Sequence, residues 1–186
     1  GSPGHWGFVF TWFRTNVFTI MHQFGGELIS DDGSTCLLNS PENIEALQFC
    51  TDLIRKYKVA PPPENFDAWI GFRQGRVGIA FEGIYMIADL ERQKDLDFSG
   101  APLPLLGPVP AAWAGTHTLC LKKNLEGERL EVAWRFIKFV SDNSLDWATG
   151  GQIPVRDSLR NTRRFADMKI QHEFARQIPH IRYSPR

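Results

Sequence analysis

An α/β fold is predicted by three features of the 186-residue sequence: a strand-turn-helix pattern from Val77 to Leu90, a second short strand and helix after Thr118, and a strongly signalled amphipathic helix after Ser40. With 42% hydrophobic and 23% charged residues, the chain can bury a real core as one domain of good size or two small ones. Gly and Pro show no fixed period, which excludes collagen-like and low-complexity classes.

Taken in order, residues 5–24 are aromatic-rich, hold a helix from about Thr15 to Gln23, and close on Gly25-Gly26. Residues 27–39 are broken by Asp31-Asp32-Gly33, a turn combination that predicts a small hairpin. Ser40-Pro41-Glu42 supplies a capping hydroxyl, a first-turn proline and an acid at the positive dipole end. Behind it Ala46, Leu47, Phe49, Cys50, Leu53, Ile54 and Tyr57 share one broad apolar face, and Glu45, Gln48, Asp52 and Arg55 the other. That helix must end before Pro61-Pro62-Pro63. A short helix follows within residues 65–74, closed by Gly75.

Val77–Phe81 reads as a buried strand, and Gly83 turns the chain into a helix through Ile87 and Leu90. Residues 99–121 are uncharged and long enough for a bilayer, but Pro102, Pro104, Pro108 and Pro110 make them a loop. Thr118–Leu121 reads as a strand; beyond Asn124 a helix carries Leu130, Ala133, Trp134, Ile137 and Val140 on one face, with Trp134 in the core. Residues 144–148 form a last short helix before Gly150-Gly151, and the basic tail from Arg156 reads as solvated helix.

Lys+Arg and Asp+Glu both number 21, so the zero formal charge gives no reason to expect a nucleic-acid or anionic-membrane partner; a neutral ligand fits better. Cys36, Cys50 and Cys120 are odd in number and lack metal spacing, and Cys50 and Cys120 read as buried small hydrophobes. No phosphate loop, nucleophile elbow or paired-His helix occurs, so no metal, cofactor or catalytic site is expected. Glu82 stands out because it ends an apolar strand just before a Gly turn, where open α/β sheets present side chains to ligands. Trp6, Trp12 and Trp113 fall in predicted loops, where indole faces can stack on the C–H faces of sugar rings; core packing is the plain alternative for each.

The stretch Phe72-Arg73-Gln74-Gly75-Arg76-Val77-Gly78-Ile79-Ala80-Phe81-Glu82-Gly83-Ile84-Tyr85 resembles a motif of extracellular solute-binding proteins of the maltose-binding-protein-like class. Pro102-Leu103-Pro104, the helix around Ala133–Phe139 and Gly150-Gly151-Gln152-Ile153-Pro154-Val155-Arg156 follow in the family's order. The resemblance implies a periplasmic-binding-protein-like fold of type II, in which a sugar or oligosaccharide is held reversibly between two lobes and delivered to the permease subunits of an ABC importer outside the cytoplasm. It also implies a fragment lacking the N-terminal part, with residues 1–117 in the second lobe, 118–159 crossing into the first, and 160–186 a helical C-terminal portion. Exposed apolar surface and self-association follow as expectations, with weak or no sugar affinity.

Carried over by the same resemblance, Tyr85 matches an aromatic that stacks on sugar, with Glu82 a polar neighbour. Trp113, Gly115 and His117 fall in a loop that holds ligand contacts, Trp12 and Asn16 in a segment that faces the cleft, and Arg156 where it contacts ligand or braces the hinge. A hydrolase using acids such as Glu82 and a ligand-sensing domain are the alternatives.

Overall fold

The computed structural model describes residues 4–11 and 13–183. Its first element is a strand, β1 (Trp6–Phe10), inside the aromatic run where no period announced one. Helix α1 (Arg14–Gln23) follows, close to the predicted bounds. Residues 27–39 fold back through a single antiparallel bridge, Ile29 to Cys36. Helix α2 (Pro41–Arg55) starts as predicted, the Ser40 hydroxyl accepting the Asn43 amide at 3.3 Å. After a three-ten turn at Pro63–Asn65, helix α3 (Ala68–Arg73) is capped by Asp67, and Gly75 leaves it at φ +67°.

Strand β2 (Val77–Phe81) pairs in parallel with β1, Phe8 opposite Ile79 and Phe10 opposite Phe81. Edge-on aromatic contacts lock this register, the Phe8 ring lying 4.6 Å from Phe10 and 5.0 Å from Phe81. A three-ten turn, Ile84–Met86, leads into α4 (Ile87–Leu90). The proline-rich loop then runs to β3 (Ala112–Trp113). It is held by one buried side chain: the Gln23 amide donates to the carbonyls of Ala111 and Pro104 and accepts the Leu106 amide. Helices α5 (Gly127–Asp142), α6 (Ser144–Ala148), α7 (Asp157–Arg160), α8 (Arg163–Asp167) and α9 (Lys169–Ala175) complete the helical part. Strand β4 (Ile181–Arg182) returns to pair in parallel with β3. The core centres on Phe10, Ile20, Met21 and Ala46, where α1 and α2 cover the sheet.

Five expectations need correction. Trp134 is not core: it is 57% exposed, and α5 has no fully buried residue at all. The face around Leu130, Ala133, Ile137 and Val140 is half-covered, while Val132, Phe136 and Phe139 form a second, exposed apolar stripe. Thr118–Leu121 forms no strand, because no neighbour offers it a ladder among the described residues. On α2, Leu47 is exposed and the fully buried positions are Asn43 and Ala46; Tyr57 lies beyond the end of the helix and is exposed. Cys120 is exposed and Cys50 is half-buried, and that burial pushes the Cys50 thiol pKa up to about 11. In β2 the ends are buried but Gly78 and Ile79 in the middle are exposed.

Candidate functional site

Parallel strands present their C-terminal ends, and the residues just beyond them, to ligands. Glu82 follows β2 at that end, and its Oε1 accepts the Gly83 amide at 2.7 Å, fixing the carboxylate over the turn. The same oxygen accepts the Tyr85 hydroxyl at 3.4 Å. The Tyr85 ring lies directly over Gly83, where any Cβ would push it away, so glycine permits this close approach. Tyr85 is 52% exposed, so its ring faces solvent and not the core. Partial burial and the neighbouring Glu82 charge and hydrogen bond raise the Tyr85 pKa above its usual 10.0.

Asn16, in the first turn of α1, donates to the Thr11 carbonyl and hydroxyl, both at 2.9 Å, and to the Phe81 carbonyl at 3.3 Å. The Thr11 hydroxyl also bonds the Phe81 carbonyl. Asn16 is therefore a brace that ties the ends of β1 and β2 together beside Glu82. One turn along α1, the buried Thr19 hydroxyl accepts the Trp113 amide at 2.9 Å. α1 thus fixes β3, and with it Trp113, on the same side of the molecule as the β2 end. Trp113 belongs to a strand and not to the expected loop. Gly115 lies against the Trp113 indole, with a Cβ there 3.0 Å from the ring.

His117 is exposed, and its ring centroid lies 5.6 Å from that of Trp147 on α6. Past α6, the buried Gly151 adopts φ +99° and abuts the Ile84 carbonyl, which a side chain would strike. Contacts and the short stretches of chain between them therefore form a circuit: Phe81 touches Asn16, Thr19 on the same helix holds Trp113, the chain runs on to His117 beside Trp147, and Gly151 beyond α6 meets Ile84 next to Tyr85. Trp147, 48% exposed, and Gly151 are neighbours of the candidate residues that sequence reasoning did not single out. The signal available was a tryptophan in the helix immediately before a Gly-Gly pair.

Arg156 stands outside the circuit. Its guanidinium pairs with Asp142 at the end of α5, which makes it a brace. Hydrogen bonds from Lys138 and then Arg156 hold the Asp142 pKa below its usual 3.8. Trp12 lies outside the described residues. The rim is an open wall: two hollows, of about 600 and 230 Å³, lie elsewhere, the larger at Trp6, Lys58 and Pro63 and the smaller at Leu103, Pro110 and His180. The candidate site is thus defined by the strand-end turn with its exposed Tyr85 ring and fixed Glu82 carboxylate, and by neither hollow. Among the described residues, no group of three or more His, Cys, Asp or Glu could hold a metal ion, and no helix is long and apolar enough to cross a membrane.

The fold is similar to several solved structures. Maltose-bound MalE3 of T. maritima is 26% identical with a TM-score of 0.78, covering 100% of this chain and 51% of that one. The sugar-binding protein MalE of Xanthomonas citri is 18% identical with a TM-score of 0.81, covering 99% of this chain and 49% of that one. UgpB of Mycobacterium tuberculosis, in complex with glycerophosphocholine, is 23% identical with a TM-score of 0.77, covering 99% and 48%. The chain spans about half the length of each and has the α/β fold of type II periplasmic sugar-binding proteins over that half. Residues 3–171 match the family described as bacterial extracellular solute-binding protein. With the match running through the strand-end turn and the Gly-Gly loop that meet beside Tyr85, the chain belongs to the bacterial extracellular solute-binding proteins.

Proposed function

We propose that the chain supplies one wall of a reversible binding site for a sugar or oligosaccharide, in a protein that hands its solute to the permease of an ABC importer outside the cytoplasm. The observation that carries this reading is the solvent-facing Tyr85 ring, seated on Gly83 and tied to Glu82 at the end of a parallel strand. An aromatic face held this way stacks on an apolar sugar face, while the free Glu82 Oε2 and the rim amides offer hydrogen bonds to hydroxyls. Trp113, Gly115, His117 and Trp147 extend the same wall. Asn16 and Arg156 act as braces.

Binding without turnover is favoured because Glu82 is engaged by Gly83 and Tyr85, which suits a positioning and hydrogen-bonding role. In the same reading residues 1–117 make up most of one lobe, 118–159 cross towards the other, and 160–186 form the helical C-terminal portion. Maltose was bound in the T. maritima relative, which supports an α-glucoside as the first ligand to try.

The test is chemical-shift mapping of the chain with maltose, maltotriose and, as a non-sugar polyol, glycerophosphocholine. Millimolar sugar should shift Tyr85, Trp113 and His117 and be recovered intact, and Tyr85→Ala should remove the response. If none of these ligands perturbs the rim, or Tyr85→Ala leaves the response unchanged, the reading fails. Cleaved oligosaccharide would support the hydrolase instead.

A further inference from the structure

Asp32-Gly33 is the one Asp-Gly step in the 186 residues, and it lies at the exposed tip of the turn closed by the Ile29–Cys36 bridge. A glycine after aspartate leaves the backbone nitrogen unscreened, so such a step is where a chain most readily modifies itself. Glycine is favoured here by conformation, since Gly33 has φ +72° and its amide donates to the Ser30 carbonyl at 2.8 Å. The Asp32 side chain accepts from two hydroxyls and an amide. Its Oδ1 takes the Ser30 hydroxyl at 2.5 Å, the Ser34 amide at 3.1 Å and the Ser34 hydroxyl at 2.9 Å, and its Oδ2 takes that same Ser34 hydroxyl at 2.8 Å. The Ser30 hydroxyl is itself placed by the Thr35 amide at 3.0 Å. A carboxylate ringed by donors is stabilised as the ion, and the Asp32 pKa falls from 3.8 to about 2, with the Ser30 hydroxyl the largest cause and Ser34 next.

We propose that Asp32-Gly33 is a latent isomerisation site and that the Ser30 and Ser34 hydroxyls are its guard. The reaction begins from the protonated carboxyl. The Gly33 nitrogen attacks Asp32 Cγ, the new C–N bond forms as a Cγ–O bond breaks, and that oxygen leaves as water with the carboxyl and amide protons. The product is a five-membered succinimide. Water then reopens the ring at one of its two carbonyls, restoring aspartate or giving isoaspartate, in which the main chain runs through Cγ. No reagent other than water takes part, and the mass is unchanged at the end. An ionised carboxylate resists the first step because its charge repels the attacking electron pair. Isoaspartate would add a main-chain methylene between Ser30 and Thr35, whose mutual bonds hold the turn. The damage would stay local, since Asn43 on α2 grips the stem through the Glu27 and Leu37 carbonyls, each at 2.9 Å.

Isoaspartate at residue 32 should be followed by peptide mapping with electron-transfer fragmentation, at mildly acid pH and physiological temperature. The folded chain is compared with the same chain unfolded in guanidinium chloride. Folded, it should convert at least about tenfold more slowly, since lowering the pKa from 3.8 to about 2 reduces the protonated carboxyl by more than that factor. Ser30→Ala and Ser34→Ala should each recover part of the unfolded rate, and the double variant most of it. Asp32→Asn, whose neutral amide closes without a protonated carboxyl, should be slowed far less by folding. Equal rates in the folded and unfolded aspartate chains overturn the proposal. So does protection that survives the double variant, or that is equal for aspartate and asparagine, which would make rigidity the guard. If the double variant fails to fold, the comparison of the unaltered chain with Asp32→Asn decides the matter alone.

Discussion

Gly151 and the Ile84 carbonyl are in direct contact, with no room between them for a side chain. The loop that follows α6 is thereby seated on the backbone of the turn that carries Tyr85. Gly151→Ala must both strain a left-handed backbone and push Ile84 away, and we expect it to cost about 1–3 kcal/mol. It should also change the fluorine NMR shift of fluorotyrosine at position 85. Gly150→Ala is the control, since its Cβ would meet only the Trp147 carbonyl at 3.3 Å and its φ is not positive. Equal effects in urea melts of the two variants would refute the seating role.

Fluorine NMR of fluorotyrosine at position 85 should show this hydroxyl ionising above the ordinary tyrosine value of 10.0. Because the folded-state value is raised, the stabilisation from the neutral hydroxyl is whole below pH 10 and is lost as pH climbs through that higher value. Glu82→Gln should lower the Tyr85 value only partway, since burial is the larger cause and Glu82 the smaller. A complete return to 10.0 in that variant would reverse the ranking.

Asn16→Leu removes three hydrogen bonds to Thr11 and Phe81, leaving the Thr11 hydroxyl as the side-chain donor to the Phe81 carbonyl and taking the side-chain donor from the Thr11 carbonyl. The expected cost is about 1–3 kcal/mol in chemical denaturation, with faster hydrogen exchange at Glu82 and Gly83. Stability loss without faster exchange at that turn would mean that Asn16 supports α1 alone.

Asp142, held below 3.8 by Lys138 and Arg156, keeps its pairing above about pH 4 and loses it as pH falls through the lowered value. Carboxyl carbon NMR should follow this titration. Arg156→Ala should shift it upward by less than Lys138→Ala does, because the Lys138 hydrogen bond is the larger cause.

Trp134→Ala should change stability by no more than about 0.5 kcal/mol, the scale of a surface site, where a buried tryptophan would cost about 3–5 kcal/mol. A loss in the buried range would place that ring in an interface.

That case shows what was legible and what was not. The Ser40 cap, the Asp31–Gly33 turn and the Gly83 turn were readable because each is decided within a few residues. Periodicity put Trp134 on the apolar arc of α5, but an arc does not say which of its sides a neighbour covers. Thr118–Leu121 has strand composition and lacks a ladder partner, which only the fold can supply. β1 stayed hidden because Trp6–Phe10 reads as an unbroken apolar run. At the candidate site, the turn that brings Glu82 and Tyr85 together was legible from the strand-turn motif. Trp147 was not, since its relation to His117 spans 30 residues of chain.

Asn16 and Thr19, three residues apart on one helix, hold the Phe81 carbonyl and the Trp113 amide. Segments distant in sequence are thus pinned to a single rigid rod before any solute arrives. An incoming ring would meet a stencil already cut, and little conformational freedom would be forfeited on contact. Selectivity among solutes would then come from how well a molecule matches this prepared outline rather than from remodelling the wall around each guest.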